Sequence, residues 1–261
     1  MHALFGTKHL ILLGISAVLI VGLRFLTRQM KFESVCRYLL YIGIGSEIVK
    51  IFYYIVQNEE KYGGVLPKTD LPFHLCSIQI ILIAVLNISQ NERLKRFLLS
   101  FMYPSCLIGG IAALLIATDS ARNGFWIITA QYFLYHIALV VFALHIVASK
   151  EHRLTVGDYK SCLKMLLIIM FFAFYINSMV YDGVSNINFM YVASPPQDGL
   201  PFLTEEYGWL VYIAHYAFLV ITCVTLCYLG AIIRFCKERK KKPCAQAELP
   251  EKAREKQEIC G

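Results

Sequence analysis

The stretch 71–80, LPFHLCSIQI, places a histidine and a cysteine at the start of an apolar run. A cysteine becomes a strong nucleophile when a neighbouring base accepts its proton, and histidine is the commonest such base. Cys76 and Gln79 are three residues apart and share a helix face, whereas His74 and Cys76 are two apart and do not. Cys76 is therefore a candidate nucleophile, which His74 can activate directly only if the first turn is irregular. The alternative is an interfacial histidine beside a small packed cysteine.

A second histidine lies deep in another apolar run, 125–148. Tyr132 and His136 are four residues apart in this run and therefore share one helix face. At helical rise, His136 lies about 16 Å below the outer end of the run, close to the middle of a membrane. A histidine at that depth needs a partner or a watery pocket, so we predict that His136 has a functional role.

Polar residues in three further apolar runs point to the same pocket. Glu47 and Lys50 are three apart on one helix face, which predicts either an internal ion pair or a Glu47 that orients a histidine. Asn177 lies near the outer end of its run, where it could also cross-link helices by a hydrogen bond. His215 lies in the outer half of the last run and is an alternative base to His136.

These candidate residues are carried by long apolar runs, in a 261-residue chain that is 57% hydrophobic and 16% charged. Each run is close to, or longer than, the roughly 20 residues that a helix needs to cross a membrane. We predict an all-α polytopic membrane protein, with a bundle of seven transmembrane helices in residues 1–236 and a basic, disordered tail at 237–261. The predicted spans are 9–27, 36–56, 72–89, 97–117, 125–148, 162–181 and 207–235.

The positions of the charges predict the orientation of this bundle. Most of the 25 lysines and arginines fall in alternate connections and the tail, and the loop 182–206 contains acidic residues but no lysine or arginine. Lysine and arginine mark the cytoplasmic side, so we expect the N-terminus outside and the C-terminus inside a cell membrane. This distribution argues against nucleic acid as a partner and favours anionic lipid headgroups at the basic tail. No cysteine and histidine spacing indicates a metal site, and no glycine fingerprint indicates a nucleotide cofactor.

The longest outer loop, 185–202, reads SNINFMYVASPPQDGLPF. Loops of this length in compact proteins are often lids or binding loops. The alternative is an interfacial loop whose aromatic side chains lie at the level of the headgroups.

Three stretches together resemble the YwaF-type bacterial integral membrane proteins: LPFHLCSIQ at 71–79, QYFLYHIALV at 131–140 and INFMYVASPP at 187–196. That family resembles the eukaryotic transmembrane acyltransferases that remodel ether phospholipids. It is more distantly similar to the androgen-induced lipid hydrolases, which pair a nucleophile with an intramembrane histidine. The resemblance implies a lipid acyltransferase or hydrolase that acts on membrane phospholipids or other acyl lipids, with Cys76 as nucleophile and His136 as base.

The sequence departs from that eukaryotic pattern, in which cysteine and histidine are adjacent after a proline. Here Pro72 and His74 align with the proline and the histidine, which puts Phe73 at the nucleophile position and Cys76 one helical turn further on. Under the enzyme hypothesis, Gln79 or Asn177 donates to the oxyanion and Glu47 holds the histidine in its working tautomer.

Two non-enzymatic alternatives fit the same residues. Glutamate, lysine and histidine near the membrane midplane suit a transporter or a protein that binds small molecules or lipids. A seven-span receptor is the second, with its basic tail as an interaction surface. Against a transporter, the chain has no obvious inverted repeat and lacks paired glycine and proline breaks in its spans.

Overall fold

The computed structural model describes residues 5–57, 65–118, 121–122, 124–149, 152–196, 203 and 206–247. Within these ranges the chain forms α-helices and short helical turns and contains no strand, which confirms the predicted all-α class. The seven α-helices are α1 Thr7–Thr27, α2 Phe32–Phe52, α3 Leu75–Ile88, α4 Glu92–Leu115, α5 Trp126–Ala148, α6 Val156–Val180 and α7 Trp209–Ala247.

Six of these helices are long and apolar enough to cross a membrane. The exception is α3, where the sequence predicted a full span at 72–89. It has 14 residues. A helix of that length covers about 21 Å, less than the roughly 30 Å of a hydrocarbon core. The described structure therefore contains six helices of spanning length and one shorter apolar helix.

The last helix extends beyond the predicted end of the membrane domain. The sequence assigned 237–261 to a disordered tail, but α7 continues to Ala247 and includes the first part of that segment. Residues 248–261 lie outside the described residues.

The beginning of α3 differs from the sequence prediction, which began this span at residue 72. Leu71, which precedes the proline, has an extended backbone at φ −58° and ψ 149°. A residue before proline is driven out of the helical region by the proline ring. Asp70 ends a short 3-10 turn, and His74 occupies the N-cap position with φ −71° and ψ 154°. Cys76 consequently lies in the first turn of α3.

Small residues bring the central helices into backbone contact. The helix α5 packs against α1, α2 and α4. A Cβ built at Gly110 of α4 would lie 2.7 Å from Val140 Cγ2 and 3.2 Å from the carbonyl oxygen of His136 on α5. A Cβ at Gly43 of α2 would lie 2.9 Å from Ile80 Cγ1 on α3. Such close approaches are typical of helix packing in membranes, and they fix α5 and α3 within one cluster.

Connections between consecutive helices collect at two ends of the bundle. At one end, Lys68 before α3 pairs with Asp182 after α6 at 2.9 Å. At the other end, Arg96 near the start of α4 pairs with Asp158 near the start of α6 at 2.7 Å. We refer to these as the Cys76 end and the basic end, because Cys76 lies at the first and arginines and lysines concentrate at the second.

Candidate active site

Cys76 lies in the first turn of a helix, α3. It is a free cysteine of intermediate exposure, in contrast to the buried Cys106 next to it on α4. Its backbone carbonyl accepts a hydrogen bond from Tyr135 Oη at 2.7 Å, which ties the first turn of α3 to α5. The first turn of a helix carries partial positive charge, which stabilises a thiolate.

An ion pair within α2 borders this cysteine. Lys50 Nζ lies 2.7 Å from Glu47 Oε2, and the two side chains are 15% and 20% exposed. Ser77 Oγ donates to Glu47 Oε1 at 3.0 Å, which joins the pair to the residue after Cys76. Lys50 is close enough to interact electrostatically with both His74 and Cys76. The internal ion pair, one of two predictions for these residues, is therefore present.

The other prediction, that Glu47 orients a histidine, is not what the structure contains. The Glu47 carboxylate contacts Ser77 and Lys50, and no hydrogen bond joins it to a histidine in the described part of the chain. Glu47 instead fixes the lysine that faces the cysteine.

His136 is buried and has a defined orientation. Its Nδ1 lies 2.7 Å from the carbonyl oxygen of Tyr132, one turn earlier on α5. A carbonyl oxygen can only accept, so Nδ1 carries the proton and Nε2 carries the lone pair in the neutral ring. The imidazole also packs on the Tyr132 ring at a centroid distance of 4.3 Å. Tyr132 thus positions the histidine through its backbone and its ring, and it leaves Nε2 as a basic atom.

Cys76 and His136 share neighbours without touching. No hydrogen bond joins the thiol to the imidazole among the described residues. The thiol is close enough to interact electrostatically with Tyr132 and Tyr135, whose rings lie 4.3 and 5.8 Å from that of His136. Two tyrosines are therefore neighbours of both the candidate nucleophile and the candidate base.

Gln79 forms the inner wall of the site, one turn below Cys76. Its side chain is buried, Nε2 donates to Ser105 Oγ at 3.0 Å, and Oε1 accepts from the Cys106 thiol at 3.4 Å. One of its two amide protons is engaged in this bond, which leaves the second for a ligand.

Asn177, the other predicted oxyanion donor, fastens the outer loop instead. Its Nδ2 donates to the carbonyl oxygens of Ala173 and Phe189 at 2.7 and 3.0 Å, and its Oδ1 accepts from the Phe189 N–H at 2.8 Å. Both amide protons are therefore used within the protein. Asn177 acts as an anchor for the loop rather than as a donor to a ligand.

The described part of the outer loop folds over the start of α3. Phe189 is fully buried and its ring packs against Phe73 and His74 at 5.4 and 5.2 Å. Tyr191 approaches His74 at 5.9 Å and interacts electrostatically with Cys76. This arrangement resembles a cover on the site more than a loop at headgroup level. Residues 197–202 of the loop lie outside the described residues.

Hydrogen bonds from α7 hold this cover in a strained conformation. Met190 and Tyr191 have positive φ values of 57° and 55°, which cost side-chain-bearing residues of the order of 1 kcal/mol or more each. The carbonyl of Met190 accepts from Tyr216 Oη at 3.0 Å, and that of Tyr191 accepts from Tyr212 Oη. Trp209 Nε1 donates to the next carbonyl, that of Val192, at 3.0 Å.

His215 does not join the site. It lies on α7 between Tyr212 and Tyr216, but it is exposed on the outer surface of the bundle, whereas Tyr212 is fully buried. The structure therefore brings together Cys76 and His136 as close neighbours of the same tyrosines, and it leaves the alternative base outside.

Sequence reasoning missed two contributors to the site, Tyr135 and Tyr191. Tyr135 could have been noticed because it immediately precedes His136, although its contact with the Cys76 carbonyl crosses between helices. Tyr191 comes from a loop with no helical periodicity, so no spacing rule could have placed it near the cysteine.

The fold and site define a multi-pass helical membrane protein with a buried polar site between α2, α3, α4 and α5. The chain belongs to the TMEM164 family, whose model matches residues 4–229 and therefore all seven helices apart from the end of α7. Comparisons with curated proteins and with solved structures gave no significant match.

Proposed function

We propose that this protein is a membrane-embedded lipid acyltransferase or lipid hydrolase, with Cys76 as the acyl-accepting nucleophile and His136 as the base. The substrates would be membrane phospholipids or other acyl lipids. The single observation that carries the proposal is the pairing of a cysteine of intermediate exposure at a helix start, close enough to Lys50 to interact electrostatically, with a buried histidine whose Nε2 carries the lone pair.

The proposed reaction has two steps. Cys76 Sγ attacks the ester carbonyl of a phospholipid, its proton passes to His136 Nε2, and the lysolipid oxygen leaves with that proton. A lysolipid hydroxyl or a water then attacks the thioester carbonyl, gives its proton to Nε2, and releases the thiolate, which is reprotonated from the imidazolium. Because the two side chains do not touch, a substrate oxygen or a water must bridge them.

Three neighbours support this chemistry with charge and hydrogen bonds. Lys50 is close enough to the Cys76 thiol to interact with it electrostatically, and the second amide proton of Gln79 is a candidate donor to the oxyanion. The aromatic cover formed by Phe189 and Tyr191 would exclude water from the thioester, which favours transfer over hydrolysis.

A transfer assay tests the proposal. Purified protein is mixed with a phospholipid carrying a labelled acyl chain and an unlabelled lysolipid acceptor, and labelled product is measured by chromatography. The wild-type protein and a Cys223→Ala variant, which loses another free cysteine of intermediate exposure, should transfer the label. Cys76→Ala should not. Equal transfer by Cys76→Ala would overturn the proposal.

One observation favours a second candidate, a non-enzymatic lipid binder or transporter. The Glu47–Lys50 pair is a largely buried ion pair within a helix of spanning length, an arrangement also found along transport pathways. Uptake of a labelled lipid into vesicles by Cys76→Ala at the wild-type rate, without any acyl transfer, would favour this alternative.

We also infer the finer placement that the charges predicted: seven spans including α3, an outer N-terminus, an inner C-terminus and a cell-membrane location. The support is the separation of the Lys68 and Asp182 connections from the basic end. A fluorescent protein fused after residue 261 should fold and fluoresce inside bacteria, and an alkaline phosphatase fused there should be inactive. Active phosphatase would reverse the orientation.

A further inference from the structure

A cavity lies at the basic end, on the opposite side of the bundle from Cys76. It has a volume of about 470 Å³ and lies between the end of α5, the connection 152–155 and the middle of α7. That volume falls within the range of small-molecule binding pockets, roughly 300–1,000 Å³. Nothing in the proposed acyl-transfer chemistry uses this cavity.

Three nitrogen-bearing side chains line the cavity, and none of its described lining residues is acidic. Arg153 and Arg234 approach from the connection and from α7. Arg234 Nη2 donates to the carbonyl oxygen of Leu154 at 3.0 Å, which holds the guanidinium over the cavity. Its Nη1 lies 3.8 Å from a Cβ built at Gly230, one turn earlier on the same helix face.

The third side chain, His152, presents a buried nitrogen without a partner. Its Nε2 is inaccessible and makes no hydrogen bond within the described structure. Burial lowers the pKa of His152 from its ordinary value, so the ring is neutral at pH 7. A buried polar atom without a partner costs free energy unless a ligand satisfies it.

A buried acidic side chain at this end, Asp158, is already engaged. Asp158 accepts two hydrogen bonds from Arg96, at 2.7 and 3.0 Å, and two more from the N-cap Thr155. Its charge is therefore balanced by Arg96 and not by Arg153 or Arg234. The positive charge of the two cavity arginines remains available to an anion.

Apolar side chains in and beside the cavity lie exposed on the surface of the bundle. Val147 lines the cavity and is 47% exposed, and Leu229 and Ile233, which flank Gly230 along α7, are 45% and 44% exposed. A basic cavity between helices at a membrane interface is an arrangement that binds lipid headgroups. Acyl chains would leave such a site directly along these apolar side chains.

We propose that this cavity binds the phosphate of an anionic phospholipid headgroup, with Arg153 and Arg234 as the phosphate-binding residues and His152 Nε2 as an additional polar partner. The site is independent of the proposed acyl transfer. The shared chemistry is phosphate recognition, and the apolar rim is the reason to name a lipid rather than free phosphate as its source.

Native mass spectrometry of the full-length protein in a non-ionic detergent tests this proposal. Phosphatidylglycerol or phosphatidylcholine is added at equal concentration, and the fraction of protein with bound lipid is measured. The variant Arg153→Gln with Arg234→Gln should bind phosphatidylglycerol about tenfold or more weakly, because each arginine supplies charge-assisted hydrogen bonds. The matched control, Lys160→Gln with Lys237→Gln, removes the same charge from exposed positions that do not line the cavity.

A steric variant keeps the test decisive if the double arginine variant folds poorly. Gly230→Leu retains both arginines but fills the cavity, and its Cβ meets no atom closer than 3.8 Å. Its binding of phosphatidylglycerol should be weakened to a similar degree as that of the arginine variant. Wild-type binding by Gly230→Leu would overturn the proposal.

Competition identifies the source of the phosphate. If millimolar inorganic phosphate does not displace phosphatidylglycerol, the site recognises a lipid headgroup. If it does displace the lipid, phosphate recognition stands and the source can be soluble. Equal binding of phosphatidylcholine, or an equal loss in the lysine control, would show general attraction to the basic surface and would overturn the proposal.

Discussion

The two ends of the helical bundle stabilise their polar groups in different ways. At the Cys76 end, neutral side chains bond to backbone carbonyls, as His136 does to Tyr132 and Asn177 to Phe189. At the basic end, ionised side chains bond to each other, as Arg96 does to Asp158. Neutral groups cost less free energy to bury in a membrane than charges do. The neutral bonds are therefore suited to the membrane interior, and the ion pairs are suited to the membrane interface.

The comparison also explains where reactivity is expected. The neutral bonds at the Cys76 end fix ring and loop positions and leave the lone pair of His136 Nε2 available to accept a proton. The two ion pairs described there, Glu47 with Lys50 and Lys68 with Asp182, are each neutral as a unit. At the basic end, cations outnumber anions around the cavity, which favours binding of an anion rather than chemistry. The following predictions test this division, beginning with the largest expected effect.

Replacing His136 should have the largest effect and should act on rate rather than on folding. His136→Gln keeps a polar side chain but removes the basic nitrogen, so we expect acyl transfer to fall about 100-fold or more. His215→Gln is the matched control on the exposed face of α7 and should leave the rate unchanged. Equal rates for wild type and His136→Gln, measured with the labelled phospholipid, would exclude His136 as the base.

Adding a methyl group at Gly110 should disturb the packing that carries His136. The new Cβ would lie 2.7 Å from Val140 Cγ2, so α4 and α5 must separate, at a cost of about 2 kcal/mol. Thermal unfolding of Gly110→Ala in detergent should therefore begin at a lower temperature. Gly45→Ala, where nothing lies within 4 Å, should unfold no earlier than wild type. The same unfolding temperature for both variants would contradict the close approach.

The ion pairs Arg96–Asp158 and Lys68–Asp182, which join distant parts of the chain, should differ in strength. Asp158 is buried and accepts several hydrogen bonds, so Asp158→Asn should destabilise the protein by about 1–2 kcal/mol. Asp182 is matched to an exposed lysine, and Asp182→Asn should change the unfolding temperature very little. A larger effect at Asp182 than at Asp158 would reverse the proposed contrast between the ends.

The Asp182 contact also has a defined pH dependence. Lys68 and the nearby backbone N–H groups lower the pKa of Asp182 below its ordinary value. The stabilisation is therefore present above the ordinary aspartate pKa of about 3.9 and is lost only as the pH falls towards the lowered value. The small difference in unfolding temperature between wild type and Asp182→Asn should thus be constant from about pH 5 to about pH 8.

Loosening the cover should change the balance of products more than the stability of the fold. Trp209→Phe keeps the ring packing but removes the hydrogen bond to the Val192 carbonyl, at a cost of about 1 kcal/mol. If the cover excludes water, this variant should release more free fatty acid relative to transferred acyl chain. An unchanged ratio of hydrolysis to transfer would mean that the cover does not protect the thioester.

The all-α fold and most helix positions could be predicted from the sequence, because long apolar runs leave few alternatives in a membrane. The Glu47–Lys50 pair was also predictable, since it depends only on a three-residue spacing within one helix. The start of α3 was not, because an extended residue before Pro72 is also compatible with a helix that begins at the proline, and only the structure shows that the N-cap is His74.

The candidate site was predictable in its residue types and not in its contacts. Cys76 and His136 were identified from chemistry and depth, whereas the roles of Asn177 and Glu47 depend on partners that lie on other elements. Spacing rules describe one helix at a time, so they could not place Tyr135 against the Cys76 carbonyl or the Phe189 ring against His74.

The most direct test of the central claim is intact-protein mass spectrometry after incubation with mixed phospholipids. The account predicts a mass increase equal to a fatty acyl group on the wild-type protein, removed by hydroxylamine as expected for a thioester and absent from Cys76→Ala. Cys223→Ala should acquire the same adduct as wild type. An adduct that persists in Cys76→Ala, or an unmodified wild-type protein that still transfers acyl chains, would contradict the assignment of Cys76 as the nucleophile.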